Sequence, residues 1–548
     1  MTDDSAPVQT EPPRRVSRDP YRAGAWVVVL LALLFAGLVR ARLLSVPFER
    51  DEGEYAYAGQ LILQGIPPYR MVYNMKLPGT YAAYAIVMAL FGQTVRGVHL
   101  GLLVVNAAAI VLVFLLGRRL FGSFAGAVAA AGYALLSLSQ TVLGVFAHAT
   151  HFVILPALAG LLLLLRGIDS GRLRTLLGSG LLLGLAFLMK QHGIFFVIFG
   201  LLYFAWEKRR ASWRRFAVEG GVLALGAALP LGLTCLILAA SGVFGNFWFW
   251  TFHYATAYVA EVPLAVLPIY LPAAFAMVTA TTMPIWDLAG LGLLALFLRE
   301  ELRDARAFVV GFLLFSFLAV CPGFYFRPHY FVLLLPAVAL LAGLAVDALR
   351  RLLSETSLAR AATTIPALLF LAVCVVTIHG EANFFFHETP LQASRATYGP
   401  SPFPEAVEIA KHIRERTTES DRIAILGSEP EIFFYAGRKS ATGYIYMYGL
   451  TEKQDYAATM QQEAVREIEA SAPLYLVFVN VFSSWGPRPD KGTPIFDWYQ
   501  KYVADHFDLT GLVDIVSQDE TDYAWGRDAS GRAPRSNYYL YVYRRKSP

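Results

Sequence analysis

From Trp26 to Ile378 the sequence is a train of apolar runs, each close to the roughly 20 residues that span a bilayer, broken by clusters of arginine and lysine. The clusters are Arg14, Arg15, Arg18 and Arg22; Arg118 and Arg119; Arg166, Arg172 and Arg174; Lys208 to Arg215; Arg299, Arg303 and Arg306; Arg350, Arg351 and Arg360. Basic residues held in short connections between apolar runs mark the cytoplasmic side of a membrane protein. The net charge of +5 therefore belongs to topology rather than to a nucleic-acid groove. A soluble fold is excluded by the same token: the chain is 56% hydrophobic and 16% charged, where soluble proteins carry about 25% charge. The three cysteines lie in or beside apolar stretches and offer no disulfide framework or zinc spacing.

The clusters fix the sidedness of everything between them. Residues 1–23 form a polar cytoplasmic leader, and Gly24–Leu44 reads as a retained signal-anchor helix that carries the chain outward. Residues 45–92 are then the first outer loop, followed by helices near 97–116, 121–140 and 150–165. A helical pair meets outside at Lys190-Gln191-His192-Gly193, and a seventh helix ends in an aromatic outer loop, Phe247–Tyr254, read as an interfacial belt with a sugar-stacking wall as the alternative. An eighth helix returns to Arg299, the next pair meets outside at Cys321–His329, and the last, near 362–378, exits. The expected architecture is a polytopic α-helical membrane domain over residues 24–380 with about eleven transmembrane helices. Arg40 and Arg42, at the outer end of the first helix, run against the charge pattern but are outnumbered by the leader.

Residues 381–548 have the texture of a small extracytoplasmic α/β domain. Helical patterns over Phe403–Thr417 and Gln454–Ala470 alternate with apolar strands, Arg422–Gly427 and Leu474–Val479. The run Tyr538–Tyr543 reads as an edge strand. No chemistry is assigned to this domain.

Polar residues concentrate in the first outer loop, which opens Arg50-Asp51-Glu52-Gly53-Glu54-Tyr55 and continues to Asn74-Met75-Lys76-Leu77-Pro78. A carboxylate at the membrane surface can act as general base on an acceptor hydroxyl. A lysine at the same depth can stabilise a phosphate leaving group. The plain alternative is a solvated interfacial loop, and for Glu54 a solvated side chain is the expected state.

At these residues the sequence resembles a known family. Asp51-Glu52-x-x-Tyr55-Ala56 after the first helix, then Lys76-x-Pro78 and an aromatic helix ending Leu90-Phe91-Gly92, is similar to the GT-C glycosyltransferases. The branch it resembles is that of the protein O-mannosyltransferases and the aminoarabinose transferases of lipid A. The resemblance runs over roughly residues 24–380 and takes in Arg327-x-His329-Tyr330. It implies Asp51 as the catalytic carboxylate, with Glu52 beside it in the catalytic pair shaping the site, and Lys76 on the phosphate of a lipid carrier; Tyr55 is read as a substrate contact. It departs from the family in the turn Val145–His151, where many relatives have a further acid and this chain has His148 and His151.

The remaining candidates follow from position. Lys190, Arg327 and His329 are outside, against the positive-inside bias, and suit the carrier phosphate. His148 and Tyr330 are read as substrate contacts. His148 and His151, three apart, could hold a metal with an acid from the first loop; the favoured reading has no metal and no cofactor.

The function expected is a membrane glycosyltransferase that moves a sugar from a polyprenyl-phosphate donor to an extracytoplasmic acceptor with inversion, Asp51 acting as base. Its partners are that lipid-linked donor, an envelope lipid, polysaccharide or protein as acceptor, and the membrane itself, with no nucleic acid. A bacterial inner membrane is the expected location. One rival is a transporter or lipid flippase, which would carry ionisable residues mid-membrane and inverted repeats. The other is a membrane scaffold whose outer domain binds a partner.

Overall fold

The computed structural model describes residues 20–259, 262–486 and 493–547, so Arg14, Arg15 and Arg18 of the expected leader lie outside the described residues. Among the described residues the first α-helices are α1 (Arg22–Arg42), α2 (Arg50–Leu63), α3 (Pro78–Phe91), α4 (Val95–Phe121), α5 (Ser123–Leu136), α6 (Ala149–Ser170), α7 (Leu173–Met189), α8 (Ile194–Lys208) and α9 (Trp213–Ala240). Met283–Leu298, Arg303–Leu318, Leu335–Ser354 and Thr364–Gly380 complete the helical domain.

The protein is an integral membrane protein by the length and composition of its helices. Among the described residues α1, α4, α6 and α9 are each long and apolar enough to cross a membrane, and a bent pair, Phe244–Val259 with Leu264–Thr279, makes up to five. Shorter apolar helices (α3, α5, α7, Met283–Leu298 and Thr364–Gly380) fill in between them. Leu30, Leu34, Leu38, Leu233 and Leu236 stay exposed on α1 and α9, as residues facing lipid do.

The stretch expected as one eighth helix is two, Leu267–Thr279 and Met283–Leu298. Pro284 stands in the first turn of the second helix, where its missing N–H costs nothing, so the chain restarts there. The first outer loop is not an open loop either, since it holds α2 and α3. Its acids begin α2: Glu49 accepts the Glu52 N–H at 2.9 Å and Glu52 accepts the Glu49 N–H at 3.2 Å. This reciprocal cap, with Asp51 and Glu52 in the first turn, favours a helix start at Arg50.

Residues beyond Glu381 build the α/β domain. Its strands are β1 (Arg422–Leu426), β2 (Lys439–Ser440), β3 (Tyr475–Asn480), β4 (Phe507–Ile515), β5 (Thr521–Trp525) and β6 (Tyr539–Arg545), in the order β2-β1-β3-β6-β4-β5. β1 runs parallel to β2 and β3, while β6 is antiparallel to both β3 and β4. The terminal tyrosine-rich run is thus an interior strand, not the edge strand expected. Its alternation reports one buried face, with Leu540 and Val542 inward, and says nothing of its neighbours. β4, broken by Asp508, Gly511 and Asp514, hides its strand character in the sequence.

Helix α2 lies between the membrane helices and this domain. Gly53 permits the contact, because a Cβ there would lie 2.6 Å from the Glu431 backbone nitrogen. Arg50 reaches the same way: its Nε donates to the Ser428 carbonyl at 2.5 Å, and Nη2 to Glu429 at 3.0 Å. One apolar cluster accordingly contains Phe48, Tyr57 and Tyr81 of the first loop with Ile423, Phe433 and Val477 of the sheet domain.

Candidate active site

A cavity of about 550 Å³ opens where α2, the turns before α6 and α8, the segment from Pro322 to Tyr330 and the sheet domain converge. Asp51, Tyr55, Lys76, His148, Lys190, Arg327, His329 and Tyr330 all line it. Residues scattered over 280 positions of sequence and named separately above therefore share one site. Glu52 does not line it.

Its centre is Lys76, whose Nζ donates to Asp51 Oδ1 at 2.6 Å and to Glu54 Oε2 at 2.7 Å. Glu54 also takes Asn74 Nδ2 at 2.8 Å and the Tyr81 hydroxyl at 2.5 Å. Its carboxylate is fully buried, which corrects the expectation of a solvated side chain. Helical spacing is the reason: three residues on from Asp51, Glu54 falls on the same side of α2, beneath the lysine. Glu52 turns the other way, accepting the Ala147 N–H at 2.6 Å and facing His99 Nε2 at 2.9 Å. It ties α2 to the turn before α6 and to α4, away from the cavity in which the sequence reading placed it.

The electrostatics separate the two acids that touch the lysine. Burial alone would push the Asp51 carboxyl up, but Lys76 and His148 outweigh it and hold it well below the usual carboxylate range. Glu54, more enclosed, is pushed up by burial against the pull of Lys76. Asp51 is thus the standing anion of the pair. Its Oδ2 makes no hydrogen bond to the described residues and lies 3.9 Å from His148 Nδ1.

Opposite stand the other cations. Lys190, in the turn between α7 and α8, places its ammonium 4.3 Å from the Tyr330 ring centre. Burial lowers its pKa to about 7 against the opposing pull of Asp51. Arg327 lies over the Tyr325 ring at 5.2 Å and donates to the Tyr258 hydroxyl at 3.3 Å. With Lys76 these form a cationic wall suited to an anion such as a phosphate.

His148 stacks on His329, ring centres 4.1 Å apart and planes within 10°, and its Nε2 pairs with the Tyr398 hydroxyl at 3.3 Å. Asp51, His148 and His329 offer ligand atoms all within 4.8 Å of one another, the one set among the described residues with metal-binding spacing. His151, the partner expected from sequence, is not in it; its ring is buried with Nε2 unpaired. A divalent ion on the set would have to share Asp51 with Lys76 and sit beside Lys190 and Arg327, so the donors fit in number while the surrounding charge opposes it.

The sheet domain closes the cavity with Tyr398, Tyr444, Tyr446, Tyr448 and Ser483. None was expected, although the alternation Tyr444-Ile445-Tyr446-Met447-Tyr448 was there to be read. The aromatic loop divides: Trp248 is exposed, while Trp250 and Tyr254 line the cavity.

Residues 76–237 match the family model of dolichyl-phosphate-mannose-protein mannosyltransferase, a stretch that contains Lys76, His148 and Lys190 and leaves Asp51 and Arg327 outside. Over 219 residues the chain is 29% identical to the undecaprenyl phosphate-alpha-4-amino-4-deoxy-L-arabinose arabinosyl transferase of Pseudomonas aeruginosa strain UCBPP-PA14, covering 37% of this chain and 39% of that protein. The Pseudomonas paraeruginosa protein of the same description is 29% identical over 221 residues. The chain thus spans about two fifths of the length of the curated relatives it matches. Among solved structures it resembles ArnT from Cupriavidus metallidurans bound to undecaprenyl phosphate, with TM-score 0.61 and 16% identity over 95% of this chain and 98% of that one. It also resembles the archaeal oligosaccharyltransferase AglB from Archaeoglobus fulgidus, with TM-score 0.53 and 13% identity over 94% and 76%.

Proposed function

We infer that the resemblance first read from Asp51-Glu52 and Lys76 extends to activity, supported by a fold shared along nearly the whole chain with the ArnT and AglB structures and by the local match to the mannosyltransferase family. We propose that the protein is a membrane glycosyltransferase that moves one sugar from a polyprenyl-phosphate donor to a hydroxyl or phosphate of an acceptor outside the cytoplasm. The observation that carries this reading is the Asp51–Lys76 pair facing Lys190 and Arg327 across one cavity. The relatives add support, since their descriptions name lipid-phosphate sugars and two of the similar structures hold a polyprenyl phosphate.

In the proposed step the acceptor O–H hydrogen-bonds to Asp51 Oδ2, the oxygen not engaged by Lys76. The acceptor oxygen attacks the anomeric carbon from the face opposite the phosphate. The bond from that carbon to the phosphate oxygen breaks, its electron pair leaves with the lipid phosphate, and the acceptor proton passes to Asp51. Lys76, Lys190 and Arg327 compensate the charge gained by the phosphate. A single displacement inverts the anomeric centre. Because Lys76 keeps Asp51 a weak base, the carboxylate first orients the hydroxyl and takes the proton as the new bond forms. The cationic wall does the work a divalent ion would do, so no metal enters the proposed step. The location that goes with this reading is a bacterial inner membrane, with the N-terminus cytoplasmic and the sheet domain outside.

The test is turnover of radiolabelled polyprenyl-phosphate sugars by the purified protein in lipid, with extracted envelope acceptors, beside a folded Asp51→Asn variant. Release of carrier phosphate and labelled product by the first and not the second is the expected result. Equal activity of both would remove Asp51 from the mechanism. No donor consumed by either would overturn the glycosyltransferase and return the transporter reading.

A further inference from the structure

The sheet domain gives the cavity more than a wall. Most tyrosine hydroxyls around the site are engaged: Tyr444 donates to Glu463 at 2.7 Å, Tyr73 to Glu467 at 3.1 Å, and Tyr448 bonds both the Ser483 carbonyl and Arg50. Three lining tyrosines make no hydrogen bond to the described residues through their hydroxyls: Tyr55, Tyr330 and Tyr446. The first two come from the membrane domain. Tyr446 comes from the sheet domain, and its ring centre lies 5.2 Å from Lys76 Nζ, which also lies 4.6 Å from the Tyr55 ring. The ammonium that holds Asp51 therefore contacts one aromatic ring from each domain.

The segment bearing Tyr446 is fixed on both sides. Before it, the Gly443 carbonyl accepts the Tyr73 N–H at 2.8 Å, and a Cβ on Gly443 would lie 2.3 Å from the Tyr73 ring. The Gly443 N–H donates to Glu467 at 3.0 Å. After it, the Met447 N–H donates to Ser428 Oγ at 2.8 Å, and Tyr448 is held as described. A half-buried phenol with an unengaged hydroxyl, held rigidly beside the reacting pair, is suited to one face of a sugar, its ring against C–H groups and its hydroxyl to a ring hydroxyl.

The charges around the cavity narrow the sugar. Arg50, Lys76, Lys190 and Arg327 line it. Its carboxylates already have partners: Asp51 holds Lys76 through Oδ1, Glu49 takes the Glu52 N–H and Glu452 the Tyr254 hydroxyl. An ammonium on the sugar would face Lys76, Lys190 and Arg327, and the open oxygen of Asp51, Oδ2, is the one that the acceptor hydroxyl takes in the proposed step. Resting on the glycosyltransferase reading, we infer that Tyr446 is a specificity-determining contact supplied by the sheet domain, hydrogen-bonding a hydroxyl of a neutral donor sugar. The site then selects hydroxylated sugars over amino sugars.

The experiment measures kcat/KM of the full chain in lipid for undecaprenyl-phosphate mannose, glucose and galactose and for the 4-amino-4-deoxy-L-arabinose donor, with wild type and Tyr446→Phe. The best neutral donor is then repeated as its series of monodeoxy sugars. Wild type should prefer the best neutral donor by tenfold or more. Tyr446→Phe should lower kcat/KM for that donor roughly three- to tenfold, the loss of one hydrogen bond. One deoxy sugar should be turned over equally by both proteins. Binding of undecaprenyl phosphate itself should be unchanged in the variant, a readout that a folding defect would move. A preference for the amino sugar, an unchanged Tyr446→Phe, or an equal loss across every donor and deoxy sugar would overturn the inference while leaving the glycosyltransferase standing. Wild type inert toward every donor would instead fail the reading beneath it.

Discussion

Two regions meet at the cavity and are built on opposite principles. The first outer loop presents charge, with Asp51, Glu54 and Lys76 in a network whose lysine bonds both acids within 2.7 Å. The segment Thr442–Tyr448 presents aromatic surface on a backbone fixed by hydrogen bonds, with one phenol hydroxyl unengaged. Charge placed where water is scarce acts strongly on bond making and breaking, because little screens it. Neutral aromatic surface acts by fit, with effects of single hydrogen bonds and ring contacts. The loop should therefore govern rate and the segment selectivity.

The largest effect should come from Asp51→Asn, which keeps the size of the side chain and removes its charge. A rate loss of about 10³ is expected with carrier-phosphate binding retained, measured by single-turnover transfer. A loss under tenfold would break the contrast between the two regions. Lys76→Met should cost about 10² to 10³ in rate. It also leaves Asp51 and Glu54 without their cation, which should destabilise the protein by about 3–5 kcal/mol. Adding Glu54→Gln should recover much of that stability in a thermal melt and none of the rate, separating the lysine's structural role from its chemical one.

The joint between the regions comes next. Gly53→Ala forces a methyl onto the Glu431 backbone, and about 1–3 kcal/mol of destabilisation is expected from the overpacking, read as a lower melting temperature with slower transfer. An unaffected Gly53→Ala would mean that the sheet domain does not bear on α2. A smaller effect is expected from pH. Lys190, lowered to about 7 by burial, is charged below that pH and neutral above it. The donor is a phosphodiester whose own charge is constant in this range, so its affinity should weaken as pH rises through about 7, and Lys190→Arg should flatten that profile. The smallest effect is a null one: chelation by EDTA should leave turnover unchanged, and a loss restored by a divalent ion would make Asp51, His148 and His329 a metal site.

Much of the membrane domain could be read from the sequence, because apolar length and basic clusters are local signals that a bilayer enforces residue by residue. Asp51 and Lys76 could be read for a related reason: charges on the outer side of such a chain stand out. What escaped was whatever depends on neighbours distant in sequence. Glu54 looked solvated until α2 placed it under Lys76, and Glu52 looked catalytic until the turn before α6 closed over it. Nothing in Tyr446 itself marks it as facing Lys76 across 370 positions of sequence. The end of the chain looked like an edge strand because β4, which covers it, carries Asp508, Gly511 and Asp514.

The measurement that bears most directly on the proposed chemistry is a structure of the full chain in lipid with undecaprenyl phosphate bound. The phosphate should sit within hydrogen-bonding distance of Lys76 and at least one of Lys190 and Arg327, leaving Asp51 Oδ2 free toward the cavity. A phosphate bound elsewhere, with Lys76 still closed on Asp51 and Glu54 and the cavity empty, would contradict it.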